Sequence, residues 1–170
     1  MKARAALVLA GLLSAVPAGV RAAAPCADHL FTVERSKNAN VVVYDAKRDA
    51  SGELDPAGPV EEYWILNADQ GQRQELSRVE RERAYGVDVA PGLETKTFVL
   101  TFKAQKKRAF TVRMHDGCPE VLTRIHGHEA VLSRIYVKSK EGGLMPRVES
   151  IELFGHDAAT GETVKEKFAP

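Results

Sequence analysis

The sequence predicts a mainly β protein: a single-domain antiparallel β-barrel or β-sandwich meander with one short helix at about residues 76–85. Apolar and polar residues alternate with a period of two along most of the chain, which is the pattern of strands with one buried face. Glycine, proline, asparagine and aspartate separate these stretches at short intervals, as in hairpin turns. Only one stretch carries a helix-capping pattern. Together these observations predict about nine or ten strands joined mostly by short hairpins.

The first strands are predicted from alternation and from β-branched and aromatic residues. Residues 31–35 and 41–44 are expected to form a hairpin around an asparagine-containing turn at 37–40. A long polar loop at 45–59 follows. Residues 63–66 then predict a short, strongly apolar strand.

A helical stretch is expected over residues 70–86. Ser77 followed by Glu80 is a capping-box pattern, and the charged residues 78–83 favour a helix. Gly86 is expected to end the helix in the left-handed conformation. Because the helix has few apolar residues, it is expected to lie on the surface.

The second half of the chain is predicted to be β throughout. Alternation at 98–102 and 110–114 predicts two strands around a basic turn at 103–108. Asp116-Gly117 is a turn dipeptide that predicts the next hairpin.

Two near-identical segments, 121–125 and 131–135, flank His126-Gly127-His128 and predict a further hairpin. An odd-length loop would gather the apolar residues on one face of the sheet, so we expect the odd register. The residues that this register places together are Val121, Ile125, Val131, Ile135 and Val137.

The predicted strands, which end with 148–154 and 163–168, each have a more apolar face, and these faces predict the core. Its predicted members are Phe31, Val33, Val42, Tyr44, Trp64, Phe98, Leu100, Phe102, Phe110, Val112, Met114, Val121, Ile125, Val131, Ile135 and Ile151.

The N-terminus has the three parts of a secretory signal peptide. Lys2 and Arg4 give a positive start, residues 5–16 are apolar, and small residues lead to a cleavage position after Ala22 or Ala24. The apolar run is shorter than the roughly 20 residues that a transmembrane helix needs.

These features divide the chain into a cleaved signal peptide, residues 1–22, and a single β-rich domain, residues 23–170. The predicted location is therefore the periplasm or the extracellular space. A lipoprotein is not expected, because Cys26 follows a proline where a small residue is needed. The chain has 24 basic and 23 acidic residues, and loss of the three basic residues of the signal peptide leaves a net charge near −2. That balance does not favour a nucleic-acid partner or an anionic membrane, and no later apolar stretch could span a bilayer.

Cys26 and Cys118 are the only two cysteines. An isolated pair in an oxidising compartment usually bonds, so the sequence predicts a disulfide. Two unpaired thiols are the alternative.

Several segments, taken in order, resemble a bacterial family known as domain-of-unknown-function 4833. The segments are 31–36, 40–44, Tyr63-Trp64, Leu76-Ser77, Glu80-Arg81, Ala84-Tyr85-Gly86, 151–155, Thr160-Gly161 and 164–166. They cover nearly all of the chain after the signal peptide. The resemblance implies a domain without an established activity, so it supplies no catalytic residues.

No catalytic or cofactor motif is recognised, and no cofactor is expected. His126 and His128 could share one strand face as metal ligands. However, Gly127 indicates a turn in which the two side chains diverge, and no third ligand can be placed. Glu61 and Glu62 are adjacent and point to opposite faces of a strand, which argues against a catalytic carboxylate pair.

The residues around the predicted helix are candidates for ligand contacts or for polar core contacts. Mixed charge in a helix is usually a solvated face. In the alternative, an arginine turns inward and pairs with a carboxylate of the sheet or with an anionic ligand. The candidates are Tyr63, Trp64, Arg81, Arg83 and Tyr85.

These observations favour a non-catalytic ligand-binding or accessory module of the cell envelope, whose partner is a small ligand or an envelope protein. Two alternatives stay open. One is an extracytoplasmic metal-assisted hydrolase that uses His126 and His128, and the other is a purely structural envelope domain.

Overall fold

The computed structural model describes residues 26–36, 38–140 and 147–170. This part of the chain forms one α-helix, α1 (Arg78–Arg83), and one 3-10 turn (Asn67–Asp69). The strands are β1 (His29–Arg35), β2 (Val41–Ala46), β3 (Val60–Leu66), β4 (Gln72–Glu75), β5 (Val87–Pro91), β6 (Phe98–Phe102), β7 (Gln105–His115), β8 (Cys118–Ile125), β9 (His128–Lys140), β10 (Arg147–Asp157) and β11 (Thr163–Phe168). The predicted signal peptide lies outside the described residues.

The strands form one sheet that is curled into a half-barrel, as the mainly β prediction requires. Its order is β4-β3-β2-β1-β9-β8-β7-β6-β5, and β10 and β11 continue from the other edge of β9. Neighbouring strands are antiparallel, except for the parallel pair β1 and β9. In the described ranges, no helix is long and apolar enough to cross a membrane.

The long strand β9 organises the sheet. Residues 128–131 of β9 pair with β8, and residues 134–137 pair with β1. Because β10 occupies the opposite edge of β9, β8 and β1 share one edge. Two arms therefore diverge from β9: a first arm of β1 to β4 and a second arm of β5 to β8.

The core lies between the inner faces of the two arms. Phe31 and Tyr44 of the first arm stack with ring centroids 4.5 Å apart. Phe102 of the second arm meets both rings edge-on, at 6.2 Å and 5.6 Å, and Phe110 meets Phe102 at 5.4 Å. Aromatic pairs in these geometries add to the stabilisation that burial alone gives.

Most of the predicted core is confirmed. Twelve of the sixteen predicted residues are buried. Phe98, Met114 and Ile151 are half-buried and pack against the core. Val131 is not part of the core, and the buried residues beside it are Ala130 and Leu132.

The predicted odd register of the β8–β9 hairpin is wrong. Ile125 pairs with His128, so the turn consists of two residues, His126 and Gly127. Their φ angles of 50° and 83° are both positive, which is the geometry of a type I′ hairpin turn. Such a two-residue turn matches the twist of the strands, and this preference decides the register.

A β-bulge in β9 explains why Ile135 is nevertheless buried. Leu132 pairs with Gly155, and Arg134 pairs with Phe154, so Ser133 is an extra residue in β9. A bulge shifts the alternation by one position. The core face of β9 therefore changes from even-numbered to odd-numbered residues along the strand.

The helical stretch expected over residues 70–86 is too long. Residues Gln72–Glu75 form strand β4, because β3 offers them an unpaired edge. Gly86 does not adopt the expected left-handed conformation. Instead, a side chain at this position would collide with the carbonyl oxygen of Arg81, so close packing requires the glycine.

The basic turn expected at 103–108 is shorter than predicted. Phe102 pairs with Gln105, which leaves a turn of two residues. The next pair is Thr101 with Ala109, so residues 106–108 bulge within β7.

Candidate functional site

Helix α1 is attached to the sheet through its capping residues. Ser77 Oγ accepts a hydrogen bond from the Glu80 backbone N–H at 3.3 Å, and Glu80 Oε2 accepts one from the Ser77 N–H at 2.8 Å. Glu80 Oε1 also accepts a bond from Trp64 Nε1 at 3.1 Å. Burial opposes ionisation of Glu80, but the bonds from Ser77 and Trp64 outweigh it and lower the pKa of this carboxyl group. One carboxylate thus caps α1 and holds it against β3.

Tyr85 anchors the segment that follows α1. Its ring lies edge-on to Trp64, with centroids 5.0 Å apart. Its carbonyl oxygen accepts a hydrogen bond from the buried Tyr44 hydroxyl at 2.6 Å, and its own hydroxyl accepts one from Arg35 Nη1 at 3.1 Å. Tyr85 is therefore a structural contact between the helix segment and the first arm.

Arg81 makes the inward pairing that the sequence left as an alternative. Its Nε lies 3.1 Å from Glu62 Oε1 on β3, and its Nη2 lies 3.3 Å from Glu75 Oε2 on β4. Burial raises the pKa of Glu62, and the charge of Arg81 works against that rise. The guanidinium is occupied by carboxylates of the protein itself, so this arginine does not offer an open anion site.

Tyr63 and Arg83 lie away from this group. Tyr63 is on the opposite face of β3, where its hydroxyl donates to Asp45 Oδ2 at 2.5 Å and the guanidinium of Arg73 lies 3.6 Å from the ring centroid. Burial and the bond to Asp45 raise the pKa of Tyr63 to about 12. Arg83 is exposed. Of the five candidates, the structure brings together Trp64, Arg81 and Tyr85.

The two candidate metal ligands are also separated. His126 lies in the type I′ turn, and its backbone N–H donates to Glu166 Oε2 at 3.1 Å. His128 faces an open groove of about 410 Å³ that His115 and Asp157 also line, and its Nδ1 is 3.6 Å from Asp157 Oδ2. Within residues 26–36, 38–140 and 147–170, no three histidine, cysteine, aspartate or glutamate side chains are placed to hold a metal ion.

The predicted disulfide is present. Cys26 and Cys118 are bonded, with Cα atoms 5.3 Å apart. The bond fastens the segment before β1 to the start of β8. It thereby links the two arms at the end of the molecule that holds the β7–β8 turn.

A second groove, which we call the loop groove, lies between the loop after β2 and the β5–β6 turn. Its volume is about 510 Å³. The apolar residues that line it are Leu54, Pro56, Pro91, Leu93 and Phe98. Leu93 is fully exposed, at 108% of its reference area. A single exposed leucine is common on protein surfaces, but this one stands beside the other apolar residues of the groove, and such a grouping is suited to a partner.

Both walls of the loop groove are ordered by local hydrogen bonds. In the first wall, Asp49 Oδ1 accepts bonds from the Ser51 N–H at 2.8 Å and the Ser51 hydroxyl at 2.6 Å. In the second wall, Gly92 N–H donates to the Thr97 carbonyl at 2.9 Å. A side chain at Gly92 would collide with Thr97, so this turn also requires a glycine.

The rim of the loop groove is acidic. Three carboxylates, those of Asp49, Glu53 and Glu94, line it together with one ammonium group, that of Lys96. Lys96 Nζ lies 3.6 Å from Glu53 Oε1 and joins the two walls. Hydrogen bonds from Ser51 lower the pKa of Asp49, so its carboxylate is ionised at neutral pH. The rim therefore favours cationic groups.

Sequence reasoning did not identify the loop groove. The available signal was Leu93, an apolar residue between Gly92 and Glu94 where a turn residue is expected. The groove depends on two segments about 40 residues apart in the chain, and their proximity follows from the pairing of the arms, which has no local pattern.

Comparison with known proteins gives one match. The family described as Domain of unknown function (DUF4833) matches residues 31–167, which is most of the chain. No curated protein matches, and no solved structure matches.

Proposed function

The chain belongs to the DUF4833 family, and on that premise we propose that it is an exported, non-catalytic binding domain of the cell envelope that holds a segment of another protein in the loop groove. The segment is apolar and basic. The groove offers it apolar contacts and an acidic rim, and sites of this kind combine apolar walls with a few oriented polar groups.

The observation that carries this proposal is the combination of an exposed leucine with an excess of carboxylates. Leu93 is fully exposed at the rim, and burial of a leucine side chain stabilises a complex by about 1.5–3 kcal/mol. Glu94 stands next to it in the turn. A cationic side chain that approaches Leu93 therefore meets opposite charge, which favours basic over acidic partners.

The location outside the cytosol is part of the proposal. It is supported by the signal-peptide pattern of residues 1–22 and by the bond between Cys26 and Cys118, since disulfides persist in oxidising compartments. N-terminal sequencing of the protein isolated from its native cells should give a chain that begins at Ala23 or Pro25. Recovery of a chain with an intact Met1 from the cytosol would contradict the proposal.

Binding can be tested by fluorescence anisotropy with labelled synthetic peptides. We expect a seven-residue peptide of alternating valine and lysine to bind, and a matched peptide of alternating valine and glutamate to bind more weakly. Leu93→Ser should weaken binding of the valine–lysine peptide about tenfold, as expected for loss of one buried leucine contact. Glu94→Lys should weaken it further at low salt and less at high salt.

A matched control is available on α1. Val79 is 64% exposed but is not among the residues that line the loop groove, so Val79→Ser should leave peptide affinity unchanged. Absence of binding by the valine–lysine peptide at about 1 mM, the weak limit of specific affinities, would refute the proposed function. Equal losses for Leu93→Ser and Val79→Ser would also refute it.

A further inference from the structure

We propose that the partner segment binds by strand addition along the free edge of β5, and that its end then enters the loop groove. This inference deepens the function proposed above and rests on it. β5 is the last strand of the second arm, and its final residue, Pro91, already lines the loop groove. The sheet edge and the groove are therefore one continuous surface.

The hydrogen bonds at the two ends of β5 show which backbone groups point outward. Gly86 accepts a bond from the Lys103 N–H at 3.0 Å, and the Gly92 N–H donates to Thr97 at 2.9 Å, so both glycines face β6. Bonding alternates along an antiparallel pair. The backbone groups of residues 88 and 90 therefore also face β6.

It follows that Val87, Val89 and Pro91 direct their backbone groups away from the sheet. Val87 and Val89 each present an N–H and a carbonyl, and Pro91 presents a carbonyl. No hydrogen bond to the outward groups of the two valines is found within the part of the chain that the structure describes. A row of such groups is a template for a further strand.

The side chains of the same residues leave the core open at this edge. Val89 pairs with Leu100, and Val87 pairs with Phe102, so both valines share the inner face of the second arm. Leu100 is completely buried, whereas Val89 is 43% exposed. A further strand with apolar residues on that face would continue the core layer and cover Val89.

The other two outer strands, β4 and β11, do not combine a free backbone edge with uncovered apolar side chains. The four residues of β4 are all polar or charged and exposed. In β11, Lys165 and Lys167 are exposed and pair with Glu152 of β10. Charged side chains, lysine in particular, are a known protection of sheet edges. β5 has one charged residue, Asp88.

The charges at the edge of β5 and at the loop groove indicate which kind of segment binds there. Asp88 lies on the outer face of β5, where it is exposed and has Lys103 Nζ at 3.8 Å, and the loop groove at the end of β5 carries three carboxylates and one ammonium. A segment that alternates apolar and basic residues fits both faces. A second copy paired through its own β5 would offer no basic residue from that strand to Asp88 or to the acidic rim, so charge does not favour association of two copies.

Backbone methylation of the peptide probe tests strand addition. The valine–lysine peptide is prepared in two forms, one N-methylated at every valine and the other at every lysine. Alternate N–H groups of a strand point to opposite edges, so only one form should lose affinity, by about tenfold or more. In the protein, Val89→Pro removes an outward donor and should weaken binding to a similar extent without breaking a bond to β6. Thr163→Pro, at an outward position of the β11 edge, is the control and should have no effect.

Hydrogen exchange measured by NMR gives a second result. Strand addition predicts that the amides of Val87 and Val89 exchange more slowly when the peptide is bound. Equal affinities for the two methylated peptides, or no added protection at these amides, would overturn strand addition while leaving binding in the loop groove intact. A dimer of the free protein that Val89→Pro dissociates would overturn the choice of partner.

Discussion

Removal of the disulfide should take away a large part of the free energy of unfolding. Cys26 and Cys118 are 92 positions apart. In the chain-entropy model, closing a loop of this length restricts the unfolded chain and stabilises the fold by about 4.6 kcal/mol at 25 °C. Domains of this kind have a total stability of about 5–15 kcal/mol. The variant Cys26→Ser with Cys118→Ser should therefore fold, but with a small margin.

The assay is urea unfolding followed by tryptophan fluorescence, because Trp64 is the only tryptophan and is 8% exposed. With a denaturant slope of about 2 kcal/mol per molar urea, the midpoint should fall by about 2 M. Wild-type protein treated with a reducing agent should give the same midpoint as the double variant. A shift below about 0.5 M, which corresponds to about 1 kcal/mol, would refute the loop-closure reasoning.

Three further results are expected. Glu166→Gln should lower stability at neutral pH by about 1–3 kcal/mol, because Arg108 loses a carboxylate partner at 2.9 Å. Hydrogen bonds from Arg108 lower the pKa of Glu166. The contribution of Glu166 to the free energy of unfolding is therefore present above the unfolded pKa of about 4.3 and is lost as the pH falls through the folded pKa. The urea midpoints of the wild-type protein and of Glu166→Gln should accordingly converge in acid. Gly86→Ala should lower the melting temperature, because the added Cβ collides with a carbonyl oxygen of α1, whereas Gly58→Ala has nothing within 4 Å and should not. The emission of Trp64 should be that of a buried indole and should shift to longer wavelength on unfolding, and a water-like maximum in the native protein would contradict its placement.

The strands could be predicted wherever neighbouring residues carry the pattern. Phe98, Leu100 and Phe102 alternate with less buried residues, and the structure places them on one inner face. The strand β4 could not be predicted, because Gln72–Glu75 has no apolar alternation and is a strand only through pairing with β3. The parallel pairing of β1 with β9 and the bulge at Ser133 likewise depend on distant segments.

The candidate site was predictable to a smaller extent. The capping box at Ser77 and Glu80 follows from residue spacing, and the structure confirms it. The sequence also indicated that an arginine of the helix could turn toward a carboxylate, but not that Arg81 would meet Glu62. The exposed edge of β5 required knowledge of which strand is last in the sheet, and strand order is a property of the whole fold.

The dependence of β1 on β9 has a consequence for the time course of biosynthesis. An ion pair at 3.0 Å joins Glu34 of β1 to Arg134 of β9, and these residues are 100 positions apart. A ribosome makes the N-terminal residues first, so β1 leaves it together with β2, its hairpin partner, but long before β9, its neighbour on the other side, exists. Contacts between distant residues form slowly, and unpaired strands are exposed to aggregation in the meantime. The edge of β1 that pairs with β9 should therefore stay unpaired until most of the chain has been made, and it is the edge that a chaperone would need to protect.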